Sequence, residues 1–291
     1  MTCELNEPAI GCGEQDNFYV QVSGSKRFVL ASPDISGSVG LFPHTHPRHR
    51  QTVQVLESRP PRSPSKQDKP AGSHRSQRLV TVLKPGDVLF IPAFWLHTAS
   101  AETESVSLAL CSTSSAEEAA FALDSLPLPL ESHWSAQQKA TVLGHYLCTL
   151  AIVVLGSSCR AFGEALVRER FGSLLTNATT LDYLNRTELG ARVMEGASDV
   201  IGSLDGPLAR PVLRGCDSLP QDLPEHLQNK LQLRALEANV KLRRVKHAGV
   251  RKLILQNFAE TAVTFFFDAP VLVLFLVECL LMSGPGAGQD N

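Results

Sequence analysis

Along the first third of the chain the apolar positions come in short, punctuated runs. Phe18-Tyr-Val-Gln-Val22 and Arg27-Phe-Val-Leu-Ala31 are rich in β-branched and aromatic residues, and Gly24 between two serines offers a turn. The pattern predicts two strands paired as a hairpin. Strand runs return at Leu79-Val-Thr-Val-Leu83 and Val88-Leu-Phe-Ile91, separated by the turn Lys84-Pro-Gly-Asp87 and closed by Pro92. Val106-Ser-Leu-Ala-Leu110 alternates again, and the β pattern stops near Ser114. Short strands with no helix between them predict a sandwich or small barrel rather than βαβ units.

Beyond Ser114 the period becomes helical. Ser135 and Gln138 form a capping-box signature ahead of an apolar run that reaches Leu155, and Gly156 marks its end. A second helix is expected from Arg160 to Leu175, folded back on the first, so that 135–175 is a helix pair. Pro224 to His247 and Val250 to Phe267 also carry helical spacing. The stretch Ala262 to Met282 is long and apolar, but Asp268, Pro270 and Glu278 interrupt it. A buried or interface helix is expected there rather than a membrane span.

Composition then narrows the picture. The 291 residues hold 43% apolar and 19% charged positions, the balance of a globular chain, and a net charge of −2 gives no global bias toward nucleic acid. Met1 to Ile10 contains Glu4 and Glu7 and no apolar run, so no secretory signal is expected. The seven cysteines are scattered without a CxxC pair, which predicts neither a disulfide framework nor a zinc site, with Cys111 and Cys148 as core residues. A reducing compartment, cytoplasmic or nuclear, follows. Residues 58–77 are rich in proline, serine and basic side chains and read as an insertion loop. His44, His46 and His49 lie in a proline-broken stretch and read as surface loop, while Lys241 to His247 with Arg251 and Lys252 would give a helix a positive face. No nucleophile elbow and no glycine-rich phosphate loop occur.

The sharpest chemical signal is Gly86-Asp-Val-Leu-Phe-Ile-Pro-Ala-Phe-Trp-Leu-His97, a strand ending at proline, an aromatic pair and a histidine entering the next strand. The block resembles the second metal-ligand region of the JmjC-type, cupin-like 2-oxoglutarate oxygenases. Asn17 to Arg27, with its Asn-Phe-x-x-Gln-Val-x-Gly-x-Lys-Arg core, is similar to the strand pair that follows the first ligand motif there. Leu41 to Val55 is similar to the asparaginyl hydroxylase that inhibits hypoxia-inducible factor, and Asp16-Asn17 and Ile91-Pro-Ala93 resemble the wybutosine-tRNA hydroxylase.

The resemblance implies a double-stranded β-helix, incomplete at its N-terminal side, over 14–114, an unrelated segment 1–13, and an α-helical region over 115–291. It implies Fe(II) and 2-oxoglutarate as cofactors, with Lys26 and Asn17 for 2-oxoglutarate, His97 as a metal ligand, and Arg50 and Gln51 as substrate contacts. The implied substrates are a protein side chain or a tRNA nucleoside, and the C-terminal helices would form a homodimer. The family places His-x-Asp just before Glu14; here that triplet reads Gly11-Cys12-Gly13. An asparagine expected in the last barrel strand falls at or near Ala109. The chain is therefore expected to be impaired as a dioxygenase, with a non-catalytic scaffold or a truncated isoform as the alternative.

Overall fold

The computed structural model describes residues 13–44, 78–171 and 223–266. These fall into two compact units, one formed by 13–42 and 78–117, the other by 43–44, 118–171 and 223–266.

The first unit holds six strands: β1 Asp16–Ser23, β2 Lys26–Ala31, β3 Arg78–Leu83, β4 Val88–Ile91, β5 Leu96–Ala101 and β6 Val106–Ser112. They build two three-stranded antiparallel sheets, ordered β4-β1-β6 and β3-β2-β5. The expected hairpin is corrected here. β1 and β2 do not pair; the chain crosses from one sheet to the other between them. Gly24 makes this corner at φ +66°, beside Glu104 and Ser105, where a side chain has no room. The Ser25 N–H donates to Thr103 Oγ1 at 2.9 Å and the Ser25 carbonyl accepts from Glu102 N at 3.0 Å, so the corner is stitched to the β5–β6 link rather than closed on itself.

The remaining strand assignments follow the β-branched runs. Their turn chemistry holds too: the Lys84 N–H donates to Asp87 Oδ2 at 2.7 Å, and Gly86 takes φ +94°. The two sheets face each other across Phe28, Leu30, Leu83 and Ile91, with Tyr19 and Leu89 against them. A short 3-10 turn at Pro33–Ile35 leads into α1 (Ser36–Val39). The other face of β4-β1-β6 carries Phe18, Val22, Val88, Phe90, Val106, Leu108 and Leu110, all exposed. Cys111, expected in the core, is also exposed, because it lies near the end of the edge strand β6.

After β6, Ser114 caps α2 (Ser115–Asp124), accepting from Glu117 N at 2.9 Å. The sequence pattern did not reveal this helix. α3 (Ala136–Leu150) has the expected capping box, with Ser135 Oγ accepting from Gln138 N and Gln138 Oε1 accepting from Ser135 N. Its last turn, Ala151–Leu155, widens to a π-helix and ends on Gly156 at φ +64°, where the sequence placed the stop. The window Gln138–Leu155 is long and apolar enough to cross a membrane by length and composition, and 56% of it is buried within the chain.

α4 (Cys159–Leu166) passes into a second π-turn, Val167–Phe171; the rest of the helix expected to Leu175 lies outside the described residues. Cys148 and Cys159 form a disulfide, which corrects the reading of Cys148 as an unpaired core thiol. The pair ties α3 to the start of α4 across the π-turn, a proximity that spacing along the chain does not disclose. α5 (Glu225–Leu242) and α6 (Ala248–Phe266) complete the described part. The basic run 241–247, expected on one helix, instead leaves α5 after Leu242 and crosses the turn before α6.

Tyr146 of α3 is fully buried against Phe258 of α6, and its hydroxyl has no hydrogen-bond partner among the described residues. Burial pushes its pKa up to about 12. An orphaned buried hydroxyl costs about 1–3 kcal/mol, so Tyr146→Phe is expected to raise stability at neutral pH. The wild type keeps its full margin below pH 10, the unfolded tyrosine value, and loses part of it as pH rises toward about 12. The variant lacks that alkaline loss. Urea midpoints at pH 7 and 11 measure both effects, and an unchanged or lower midpoint at pH 7 would contradict the first.

Candidate functional site

The candidate site is the pair of inner sheet faces. Lys26, Phe28 and Leu30 point to one side of β2, and their cross-strand partners on β5 are Ala101, Ala99 and His97. Opposed residues share a face, so Lys26 and His97 lie on the same inner surface, four residues apart along the ladder, or about 13 Å. Asn17, Tyr19 and Gln21 form the inner row of β1 in the facing sheet. Tyr19 joins the two faces, with its ring 6.2 Å from that of His97 and 5.1 Å from that of Phe28.

His97 is buried, and its Nδ1 lies 3.2 Å from the Trp95 carbonyl oxygen. That bond assigns the proton to Nδ1 and leaves Nε2 with a lone pair. Burial holds the pKa below the ordinary histidine value, and the Trp95 contact only partly opposes it. The imidazole is therefore neutral at pH 7, the form able to accept a hydrogen bond or ligate a cation.

The turn that delivers His97 is fastened from the start of β1. The Ala93 N–H donates to Asp16 Oδ1 at 2.8 Å, and the Phe94 N–H donates to the Gly13 carbonyl at 2.7 Å. Phe94 sits at φ +64° with its ring buried. A bulky residue there is strained by about 1–2 kcal/mol, and the two bonds from 13 and 16 hold the turn in place. Asp16, Tyr19 and Phe94 were missed as supporting residues because each acts on a partner far away in sequence. The acid at the first position of β1 was the local signal.

Asn17 is half-buried and engaged locally: Nδ2 donates to the Gln15 carbonyl at 3.0 Å, and Oδ1 accepts from Cys111 Sγ at 3.0 Å. Next along the row, Ala109 faces Tyr19, and Ser107 Oγ donates to Gln21 Oε1 at 2.7 Å. The fold thus brings Lys26, His97 and the Asn17 row to facing surfaces of one sandwich. Arg50 and Gln51, the insertion 58–77, Gly11 and Cys12 lie outside the described residues.

A two-histidine, one-carboxylate iron centre does not fit these residues. His97 is the sole matching ligand among the described ones, Gly13 has no side chain, and no group of three His, Cys, Asp or Glu converges among them. No reaction step through iron is derived for this chain.

The sequence pattern of the family described as "Cupin-like domain" matches residues 14–112. Two curated relatives, each named tRNA wybutosine-synthesizing protein 4, are also similar. The one from Gibberella zeae is 32% identical over 88 residues, covering 30% of this chain and 7% of the relative. The one from Neurospora crassa is 32% identical over 89 residues, covering 31% and 7%. The chain thus spans under a tenth of the length of these relatives.

Proposed function

We propose, from the premise that residues 14–112 are a cupin-like domain, that this chain is a relative of the 2-oxoglutarate oxygenases whose inner face keeps the anion-binding end and lacks the iron end. It would bind a small dicarboxylate through Lys26, helped by Asn17, without coupled oxidation. The observation that carries the reading is the placement of Lys26 and neutral His97 on one inner face with a bare glycine at position 13. A lysine ammonium on a partly enclosed face is a strong point-charge partner for a carboxylate.

The names of the two relatives support a tRNA nucleoside as the ancestral substrate class, beside a protein side chain. The exposed stripe Leu233, Leu236 and Val240 on α5 supports pairing of the C-terminal helices between two copies.

Anaerobic titration with Fe(II) and 2-oxoglutarate, followed by succinate detection in air, tests the reading. Dicarboxylate binding is expected without stoichiometric iron and without succinate. Lys26→Ala should weaken that binding by about 10- to 100-fold, the worth of one charge-assisted bond. Succinate formation would overturn the loss of oxidation, and equal binding by Lys26→Ala would overturn the assignment of the anion end.

A further inference from the structure

The dicarboxylate site proposed above uses only the inner faces of the sandwich. We propose that the outer face of the β4-β1-β6 sheet is an interface onto which a second copy of this chain packs the same face. Register places the apolar residues there in rows. Phe90, Phe18 and Leu110 form one row across the three strands, and Val88, Val20 and Leu108 form the next. The Phe18 and Phe90 rings are in contact, with centroids 4.9 Å apart. Phe90 is nevertheless 47% exposed, Val88 59% and Leu108 52%. No charged side chain stands in either row.

Area and chemistry select the occupant. Together with Val22 and Val106, the half-exposed side chains leave about 600 Å² of contiguous apolar surface per copy, at the upper end of what monomers expose. Two such faces bury about 1,200 Å², which reaches the range of specific association. Neither row carries a cation for an anionic bilayer or a charge to steer a charged partner, and the one acid on this face of β1, Asp16 at its end, has its carboxylate engaged by the Ala93 N–H. A copy of itself fits, because the sheet is self-complementary about an axis running along β1. A two-fold rotation about that axis lays β4 of one copy over β6 of the other. Phe90 then meets Leu110, Phe18 meets Phe18, and Val88 meets Leu108, in an isologous contact at ordinary sheet-stacking distance.

The test uses the full chain carrying Leu236→Glu, which removes pairing through α5 and separates the two interfaces. Sedimentation equilibrium should still show a dimer at about 50 µM, the range expected for an interface of this size. Adding Leu108→Glu, or separately Val88→Lys, should raise the dissociation constant at least about 100-fold. Combining the two should recover at least about tenfold, because each introduced ammonium faces the other copy's introduced carboxylate. Both positions are exposed, and circular dichroism of each variant verifies the fold; should one not fold, the other still reads the face.

A monomeric Leu236→Glu chain would overturn the proposal, as would a dimer indifferent to both sheet substitutions, or a double variant no tighter than either single. So would a monomer that floats with neutral phosphatidylcholine vesicles, since the face would then belong to lipid.

Discussion

Arg170→Met is expected to destabilise the helical unit by about 3–5 kcal/mol, the cost of removing one member of a buried ion pair. Arg170 is 3% exposed and Glu260 fully buried, with Nε of the first 3.7 Å from Oε1 of the second. Nη2 of Arg170 also donates to Asn257 Oδ1 at 2.7 Å, and Glu260 Oε2 accepts the His44 N–H. Beside them, Glu169 accepts from Lys252 at 2.7 Å and from Gln256 at 3.1 Å. Methionine fills much the same volume but leaves the Glu260 carboxylate in the interior without its guanidinium. Adding Glu260→Gln removes the buried charge that has lost its guanidinium, so the double variant should be more stable than Arg170→Met alone. Urea unfolding monitored by far-UV circular dichroism compares the three proteins. A single-variant loss below about 1 kcal/mol would show the pair to be solvated in solution, as exposed pairs are.

Gly24→Ala should be nearly as damaging, for a reason of space rather than charge. At φ +66° any L-residue is strained, and a methyl group there would fall on the Glu104 carbonyl oxygen and within 2.8 Å of Ser105 Cα. Both obstacles are backbone, so neither can rotate aside, and the corner between the two sheets must open. A loss of about 3 kcal/mol or more is expected, beyond the ordinary range for a surface position. Gly86→Ala is the control. Gly86 has φ +94° with nothing within 4 Å of the added carbon, so it reads the backbone strain alone, about 1 kcal/mol. Equal losses at the two positions would mean that Glu104 and Ser105 yield freely and that the corner is not rigid.

The same corner marks where sequence reasoning stopped. Five of the six strands could be located, because β-branched and aromatic runs end at local breakers such as Pro92 or Gly24, whereas β5, Leu-His-Thr-Ala-Ser-Ala, carries no such run and was implied only as the strand His97 enters. Pairing could not, since Ser23-Gly24-Ser25 is as compatible with a tight hairpin as with a crossing, and the deciding contacts come from Thr103 and Glu102. The capping box at Ser135 was legible because donor and acceptor lie three residues apart. The Cys148–Cys159 bond was not, because it depends on how α4 returns past the π-turn.

Within the site, His97 stood out through the block that surrounds it, whereas Asp16 and Tyr19 act across 77 and 78 residues of sequence. Their roles emerge only once the strands are paired.

The carbonyl of Gly13 that anchors Phe94 also bears on how this pocket could be re-engineered. A Cβ built at Gly13 would have Asn17 Nδ2 at 3.5 Å and Gln15 N at 3.9 Å as its nearest neighbours, ordinary packing distances. The anchoring bond uses main-chain atoms alone, so it is indifferent to the side chain at that position. Gly13→Asp can therefore be introduced into the existing scaffold without relaxing the turn that presents His97. At position 13 the existing backbone therefore accepts a carboxylate-bearing residue without a steric penalty and without loss of the Phe94 anchor.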